Sequence, residues 1–174
     1  MSGRYRVADD AGGRVAQGAS NDGSDAESQG DQRLSRIGFL AGVFDLFHVG
    51  HLDVLGRARQ GCDRLVVGVL TDEWAVDAWG ARPFVPLVER IQIVEHLRCV
   101  DEVVVVDGVR SEWLTGVLGV QTVFAASGTD GVLGVDDLDG TPRELVSVVP
   151  AGRGSRSPIL RAAIDQRQSR SSVA

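Results

Sequence analysis

The sequence RIGFLAGVFDLFHVGH, residues 36–51, is the stretch that decides the fold. Its first part, residues 36–42, is an apolar run that ends in Gly, which is typical of a buried strand. Directly after the stretch, residues 52–60 place apolar side chains at helical spacing, and this pattern predicts a helix. His48 and His51 therefore lie three residues apart at a turn between a strand and a helix.

The succession of a buried strand and a helix is repeated along the chain. Short runs rich in Val, Leu and Ile predict four further strands, at 64–70, 102–106, 121–126 and 144–149. Amphipathic or capped patterns predict further helices at 86–99, 112–118 and 157–168. The stretch 71–85 contains Gly and Pro and is expected to be irregular.

This order of elements predicts one class of fold. Strands that alternate with helices form a parallel sheet, and strands buried on both faces lose the polar alternation of exposed ones. We therefore expect an α/β fold, a Rossmann-like parallel five-stranded sheet with helices on both faces. In such sheets ligands bind beyond the carboxyl ends of the strands, where the strand order reverses.

Composition divides the chain into three parts. Residues 1–35 are rich in Gly, Ser and Asp, carry Gln and Asn as well, and hold few large apolar side chains, so they are expected to form a disordered N-terminal segment. Residues 36–168 are enough for one domain with its own core. Residues 169–174 are expected to be a flexible tail.

Charge and cysteine content narrow the classes of function. The net charge is −6, and all 18 basic residues are Arg. An acidic chain is not expected to bind nucleic acid through a basic surface. No apolar run reaches the length of a membrane span, and the N-terminus lacks the apolar region of a secretory signal. The two cysteines provide no disulfide framework, so we expect a cytoplasmic protein. Because no apolar run is long enough to span a membrane, we also expect no membrane partner.

The turn that contains the two histidines has the chemistry of an anion site. Gly50 allows a ligand to approach the backbone closely, and the helix that begins here directs free N–H groups at the same space. Imidazole N–H groups beside a helix N-terminus suit a phosphate on which charge grows during a reaction. The other interpretations are that His48 and His51 cap the helix, lie on the surface or bind a metal ion.

The run GVFDLFHVGH, residues 42–51, resembles the signature of the nucleotidyltransferase superfamily that includes the cytidylyltransferases. The pair Leu46-Phe47 after the Asp resembles the residues at this position in the glycerol-3-phosphate, choline-phosphate and ethanolamine-phosphate cytidylyltransferases. The pantetheine and nicotinate adenylyltransferases usually have Pro after that Asp. The resemblance spans roughly residues 36–165, and its further matches are 62–69, 71–73, 82–83, 86, 89–90 and 100–103.

The resemblance implies an activity and its partners. Members of this superfamily move a nucleotidyl group from CTP or ATP to a phosphate monoester and release pyrophosphate. The chain is therefore expected to use CTP, or ATP, with a small phosphorylated polyol or amino alcohol as the acceptor. Mg²⁺ is expected as the cofactor that bridges the phosphates, held largely through waters and substrate oxygens. Relatives are commonly dimers, so a homodimer is expected.

The resemblance also implies roles for single residues. His48 and His51 are expected to be catalytic, because they match the histidines that hold the triphosphate and stabilise the transition state at the α-phosphorus. The positions expected to bind the nucleotide are Val43, Phe44, Asp45, Gly50, Arg90, Gly154, Ser155 and Ser157. A turn-stabilising role is the alternative for Asp45, and a solvated helix face is the alternative for Arg90.

The chain departs from the family pattern in three loops. Family members place a Lys before the Arg-Pro pair, but this chain contains no Lys, so Arg82 is expected to bind the acceptor instead. Residues 127–130 keep at most one acid of the family's Gly-Asp-Asp. Ala151 stands at the position of a family Arg, and Pro158 lacks an N–H donor. These departures leave a second interpretation open, a catalytically degenerate nucleotide-binding or regulatory protein with the same fold.

Overall fold

Strands and helices alternate through the body of the protein in the computed structural model, which describes residues 5–7, 35–127, 131–138, 140–150 and 162. The strands are β1 (Tyr5–Val7), β2 (Ile37–Gly42), β3 (Arg64–Leu70), β4 (Glu102–Val106), β5 (Thr122–Ala126) and β6 (Val146–Val149). The helices are α1 (Val49–Gln60), α2 (Asp72–Trp79), α3 (Leu87–Glu95) and α4 (Ser111–Gly116), and a 3-10 helix, Arg143–Leu145, precedes β6. Within these residues no helix is both long and apolar enough to cross a membrane.

The sheet is parallel, and its strands lie in the order β1-β4-β3-β2-β5-β6. β2 lies in the interior, with β3 on one side and β5 on the other. Along the chain, β2 is followed by β3 and β4 on one side of it and then by β5 and β6 on the other side, so the strand order reverses beside β2. The predicted Rossmann-like α/β fold and its five parallel strands are confirmed, and the carboxyl end of β2 is the place where this fold binds ligands.

A sixth strand lies inside the segment predicted to be disordered. Tyr5–Val7 pairs with β4, with Tyr5 beside Val103 and Val7 beside Val105. Without this strand, β4 would be an edge strand with unpaired N–H and C=O groups. The short strand β1, which contains the β-favouring residues Tyr and Val, pairs with these groups. The prediction of disorder therefore does not hold for these three residues, while residues 1–4 and 8–34 and the predicted tail lie outside the described part of the chain.

The stretch 71–85, predicted to be irregular, contains helix α2. The hydroxyl of Thr71 caps this helix by accepting a hydrogen bond from the N–H of Trp74 at 3.1 Å. Acidic residues follow in the first turn, where the helix dipole favours them. Gly80 ends the helix in the left-handed conformation, with a φ of 71°. The prediction is wrong because this glycine terminates a short helix and does not interrupt a loop.

The other helices differ from the predictions only at their ends. α1 begins at Val49, three residues earlier than predicted, because His48 caps it. α3 ends at Glu95, four residues before its predicted end. The predicted helix at 157–168 lies outside the described residues except for Ala162, which is helical.

The side chains of the interior strands alternate between two cores. Leu40 and Val67 belong to the cluster that contains the buried side chains of α1 and α3. Phe39 and Val66 face the opposite side and pack with residues of α2 and α4. Both faces of the sheet are therefore buried, which explains the apolar runs in the sequence.

Two strand glycines allow the aromatic rings of these cores to approach the backbone. A Cβ atom at Gly38 would lie 2.5 Å from a ring carbon of Phe124, and one at Gly68 would lie 2.6 Å from a ring carbon of Phe39. Real Cβ atoms do not approach rings so closely, so a larger residue at either position requires the rings to move.

We expect Gly38→Ala and Gly68→Ala each to lower the free energy of unfolding by about 1–3 kcal/mol through overpacking. Gly56, in α1, has open space around its Cα. Gly56→Ala should therefore raise the free energy of unfolding by about 0.5–1 kcal/mol, because Ala favours the helix. Urea unfolding of the three variants measures both effects, and a Gly68→Ala protein as stable as the wild type would contradict the packing.

Candidate active site

The candidate site lies in the turn between β2 and α1, at the carboxyl end of β2. Its residues are 42–51, which follow the interior strand at the point where the strand order reverses. The N-terminus of α1 opens onto the same space, so main-chain N–H groups and the side chains of the turn converge there.

The two histidines stack on one another at the beginning of α1. Their ring centroids are 3.9 Å apart, and the ring planes differ by 22°. The Nδ1 atom of His48 accepts a hydrogen bond from the N–H of Gly50 at 3.0 Å, and the Nδ1 atom of His51 accepts one from the N–H of His48 at 3.3 Å. The interpretation of His48 as a helix cap is therefore correct, and the caps hold both rings in fixed orientations.

These caps determine which ring nitrogen of each histidine carries the proton. A neutral imidazole that accepts a hydrogen bond at Nδ1 has its proton on Nε2. Both histidines consequently present Nε2–H donors, and the hydrogen-bond pattern assigns these tautomers. His51 is fully buried, and its ring also lies edge-on to Phe44 with centroids 5.6 Å apart. A buried, pre-oriented N–H donor is suited to stabilising negative charge on a phosphoryl group.

Asp45 connects this turn to the loop before α3. Its Oδ2 atom accepts a hydrogen bond from the N–H of Phe84 at 3.0 Å, and its Oδ1 atom accepts one from the N–H of Val85 at 2.9 Å. The residues on either side, Phe44 and Leu46, have left-handed φ values of 54° and 46°. Such conformations are costly for side chains of this size and persist where surrounding contacts enforce them. The geometry supports the turn-stabilising role of Asp45, while the nucleotide contact stays a prediction.

Arg90 is fully buried and binds oxygens from three segments. Its Nε–H donates to the carbonyl of Val85 at 3.0 Å, and an Nη1–H donates to the carbonyls of Val43 at 2.6 Å and Leu70 at 2.9 Å. The remaining nitrogen forms an ion pair with Asp72. The alternative of a solvated helix face is therefore wrong, because this face of α3 is directed into the protein. The nucleotide contact of Arg90 stays a prediction, and the contacts present are all with protein oxygens.

The main-chain N–H groups predicted to meet the nucleotide have a protein partner. Val43 N–H and Phe44 N–H both donate to the carbonyl of Gly131, at 2.8 and 3.3 Å. Gly50 is buried in the first turn of α1, where its N–H donates to His48. Nothing in the sequence indicates the position of Gly131, because it directly follows residues 127–130, which depart from the family pattern.

Arg82 is the one remaining predicted site residue that the structure describes. Arg82 is exposed in the loop before α3, two residues from the anchored N–H of Phe84. The predicted nucleotide contacts Gly154, Ser155 and Ser157 lie outside the described residues. Asp72 was not among the predicted residues, although its place after the capping Thr71 at the end of β3 is a signal that could have found it.

The expected Mg²⁺ has no protein cage among the residues described. In that part of the chain no three His, Cys, Asp or Glu side chains are grouped so that they could hold a metal ion. Asp45, the carboxylate of the turn, already accepts two main-chain hydrogen bonds. These residues do not fit a dedicated magnesium site, and Mg²⁺ bound here would depend on phosphate oxygens and waters.

The cysteines add no nucleophile. Burial raises the pKa of the thiols of Cys62 and Cys99. A thiol with a raised pKa is mostly protonated at neutral pH and reacts slowly. Both side chains instead pack with the core cluster of α1 and α3, where a free cysteine behaves as a small apolar residue.

We expect Arg90→Met to lower the free energy of unfolding by about 3–5 kcal/mol, because Asp72 and three carbonyls lose a buried partner. Arg57→Met is the matched control, since Arg57 pairs with Asp53 at 3.1 Å in an exposed pair within α1. That control should change the free energy by about 0.2–1 kcal/mol. Denaturant titration measures both, and equal effects would show that burial of the ion pair has no consequence.

Comparisons with known proteins agree with the resemblance seen in the sequence. The bifunctional protein HldE of Acidiphilium cryptum is 45% identical over 83 residues, which are 47% of this chain and 17% of that protein. Ethanolamine-phosphate cytidylyltransferase of Arabidopsis thaliana is 44% identical over 72 residues, 41% of this chain and 17% of that protein. FAD synthase of Thermococcus sibiricus is 42% identical over 64 residues, 37% of this chain and 43% of that protein. The chain thus spans less than half of the length of these relatives.

A solved structure and a family model extend the comparison over most of the chain. The crystal structure of the lipopolysaccharide core biosynthesis protein from Thermoplasma volcanium matches with a TM-score of 0.53 and 21% identity. The match covers 70% of this chain and 99% of that one, and it shows that the fold is shared. A family model described as cytidylyltransferase-like matches residues 39–164. Because this match spans more than half of the chain, the protein belongs to the cytidylyltransferase-like family.

Proposed function

We propose that the protein is a nucleotidyltransferase that transfers CMP from CTP to a small phosphorylated polyol or amino alcohol and releases pyrophosphate. The observation that supports the proposal is the stacked pair His48 and His51, held by the first turn of α1 with both Nε2–H donors oriented. The related proteins include a cytidylyltransferase and a FAD synthase by name, so ATP is the second nucleotide to test.

The chemistry requires positioning and charge stabilisation from the protein. An oxygen of the acceptor phosphate attacks the α-phosphorus of CTP, and a new phosphorus–oxygen bond forms. The bond from the α-phosphorus to the oxygen that bridges to the β-phosphate breaks, and its electrons leave with pyrophosphate. No protein nucleophile is needed, so oriented donors supply the catalysis. We assign this role to the Nε2–H groups of His48 and His51, together with the N-terminus of α1.

The acceptor is assigned to the loop before α3. Asp45 holds the N–H groups of Phe84 and Val85, which fixes this loop beside the histidine turn. Arg82 lies two residues earlier and is exposed. A guanidinium there would bind the phosphate of the acceptor through charge-assisted hydrogen bonds, in place of the Lys that this chain lacks.

One observation favours a second candidate, a nucleotide-binding or regulatory protein without catalysis. The N–H groups of Val43 and Phe44, which the family resemblance directs at the nucleotide, are bound by Gly131. A screen for pyrophosphate release separates the two functions. We would incubate the full chain with CTP or ATP, Mg²⁺ and a panel of phosphate monoesters, and we expect release with CTP above the level without acceptor.

The histidine assignment is tested with two amide substitutions at His51. In His51→Asn the side-chain oxygen replaces Nδ1 and keeps the cap on His48 N–H, but the Nε2–H donor is lost. We expect kcat to fall by about 10²–10³, the usual effect of removing one oriented donor, with a smaller change in CTP affinity. In His51→Gln the amide reaches the Nε2 position, so part of kcat should return.

Steady-state kinetics and CTP titration of both variants provide the comparison. If Asn and Gln lower kcat equally, the Nε2–H group is not the catalytic donor. If kcat and affinity fall by the same factor, the histidine binds the ground state only.

We expect Arg82→Ala to raise the KM for the acceptor by about ten- to a hundredfold, because a charge-assisted contact to phosphate is lost. Arg98→Ala is the control, since Arg98 is also exposed but follows the far end of α3. It should leave this KM unchanged. An acceptor KM that does not change in Arg82→Ala would show that the side chain is only solvated.

A further inference from the structure

Residues 131–133 lie between the carboxyl ends of β2 and β5. These two strands pair with each other only as far as Leu40 and Phe124. Beyond this point the N–H of Leu133 donates to the carbonyl of Ala41 at 3.0 Å, and the N–H of Ala126 donates to the carbonyl of Leu133 at 2.9 Å. Residues 131–133 are therefore inserted between the strands at the place where the strand order reverses, which is the place where this fold binds ligands.

Residue 132 extends the insertion along β2, where Val132 forms an antiparallel bridge with Gly42. Val132 and Leu133 are both buried, with 7% and 1% of their surface exposed. The segment is thus packed on the end of the sheet and bonded to it on two sides. It therefore occupies the end of the sheet at which this class of fold binds ligands.

The carbonyl of Gly131 has the surroundings of a phosphate oxygen. It accepts hydrogen bonds from two consecutive main-chain N–H groups, those of Val43 and Phe44, at 2.8 and 3.3 Å. Consecutive N–H groups near a helix N-terminus are a common way to hold a phosphate oxygen. Gly131 also lies against the reactive edge of His51, because a Cβ atom added to it would be 3.2 Å from Nε2. Gly131 therefore both binds the N–H groups of Val43 and Phe44 and lies beside the Nε2 atom of His51.

We propose that residues 131–133 form an internal plug that blocks the phosphate site of the nucleotide and is displaced when CTP binds. The proposal rests on the proposed function, which places the triphosphate against Val43, Phe44 and His51. The N–H groups cannot donate at full strength to the Gly131 carbonyl and to a phosphate at once. The measured affinity for CTP is therefore the affinity of the open site multiplied by the fraction of molecules in which the plug is out.

Gly131→Ala tests the plug because it destabilises the closed arrangement. The residue has a φ of +79°, and the new Cβ would press against His51. Gly140→Ala is the matched control, since Gly140 has a φ of +78° and no atom within 4 Å of an added Cβ. Both variants strain the backbone similarly, but only the first disturbs the contact with the site.

Isothermal titration of the full-length variants with CTP, and with inorganic pyrophosphate, measures the open fraction. We expect Gly131→Ala to bind both about tenfold more tightly than the wild type, which corresponds to an open fraction of roughly one tenth in the wild type. Gly140→Ala should bind as the wild type does. Equal affinities of Gly131→Ala and Gly140→Ala, or no binding of CTP, ATP or pyrophosphate by Gly131→Ala, would overturn the proposal.

Amide hydrogen exchange of the wild type gives a second test that needs no substitution. In the free protein the N–H groups of Leu133 and Val43 should both be protected. Saturating CTP should increase exchange at Leu133, which loses the carbonyl of Ala41, and should leave Val43 protected by phosphate. Unchanged protection of Leu133 in the presence of bound CTP would show that the segment stays in place and that it is not a plug.

The outcomes also separate this inference from the proposed function. Tighter CTP binding by Gly131→Ala without pyrophosphate release for any acceptor would support the plug and refute the transferase. Pyrophosphate release by the wild type, with the same KM for CTP in both glycine variants, would support the transferase and refute the plug.

Discussion

The buried guanidinium of Arg90 is the contact on which the geometry of the site depends. It joins three segments: the carbonyl of Val43 after β2, the carbonyl of Leu70 at the end of β3 with the carboxylate of Asp72 just beyond it, and the carbonyl of Val85 before α3. A charge removed from water is tolerated only when it is paired and hydrogen-bonded, so these three segments cannot separate without a large loss of free energy. The carboxylate of Asp45, in the turn that precedes α1, adds a second link to the loop before α3. The site is rigid on this side because its loops share buried polar partners.

The sequence predicts the fold because the fold depends on local patterns. The apolar strands, the amphipathic helix α3 and the turn 42–51 are each recognisable from their neighbours in the chain. α2 is missed because a short helix between breakers differs from a loop only in its caps, Thr71 and Gly80. β1 is missed because three residues in a polar segment gain their stability from pairing with β4, which no local pattern shows.

The partners within the site are less predictable than the residues themselves. His48 and His51 were expected at the site, but their caps on α1 follow from hydrogen bonds that only the folded turn makes. The main-chain partners of Asp45 are 39 and 40 positions away in the sequence, and those of Arg90 are 5, 20 and 47 positions away. Every residue except Pro has the same main-chain N–H and C=O groups, so the sequence does not show which of them a side chain will contact. It therefore indicates that a charged side chain is important without showing which contact that side chain makes. The contact of Gly131 with Val43 and Phe44 is unpredictable for the same reason, since any residue at this position would have a carbonyl group.

The contact of Gly131 with Val43 and Phe44 fits both a nucleotide site that is closed in the free protein and a site that no longer binds nucleotide, and the strengths of the competing hydrogen bonds favour the closed nucleotide site. The plug offers a neutral carbonyl to the two N–H groups. A triphosphate offers ionised oxygens, whose hydrogen bonds are about twice as strong. In the proposed function the triphosphate would also gain contacts with the Nε2–H donors of His48 and His51. A neutral plug therefore lowers the affinity of such a site without abolishing it. Loss of nucleotide binding would be expected instead from loss of the donors, and the Nε2–H donors of both histidines are present and oriented.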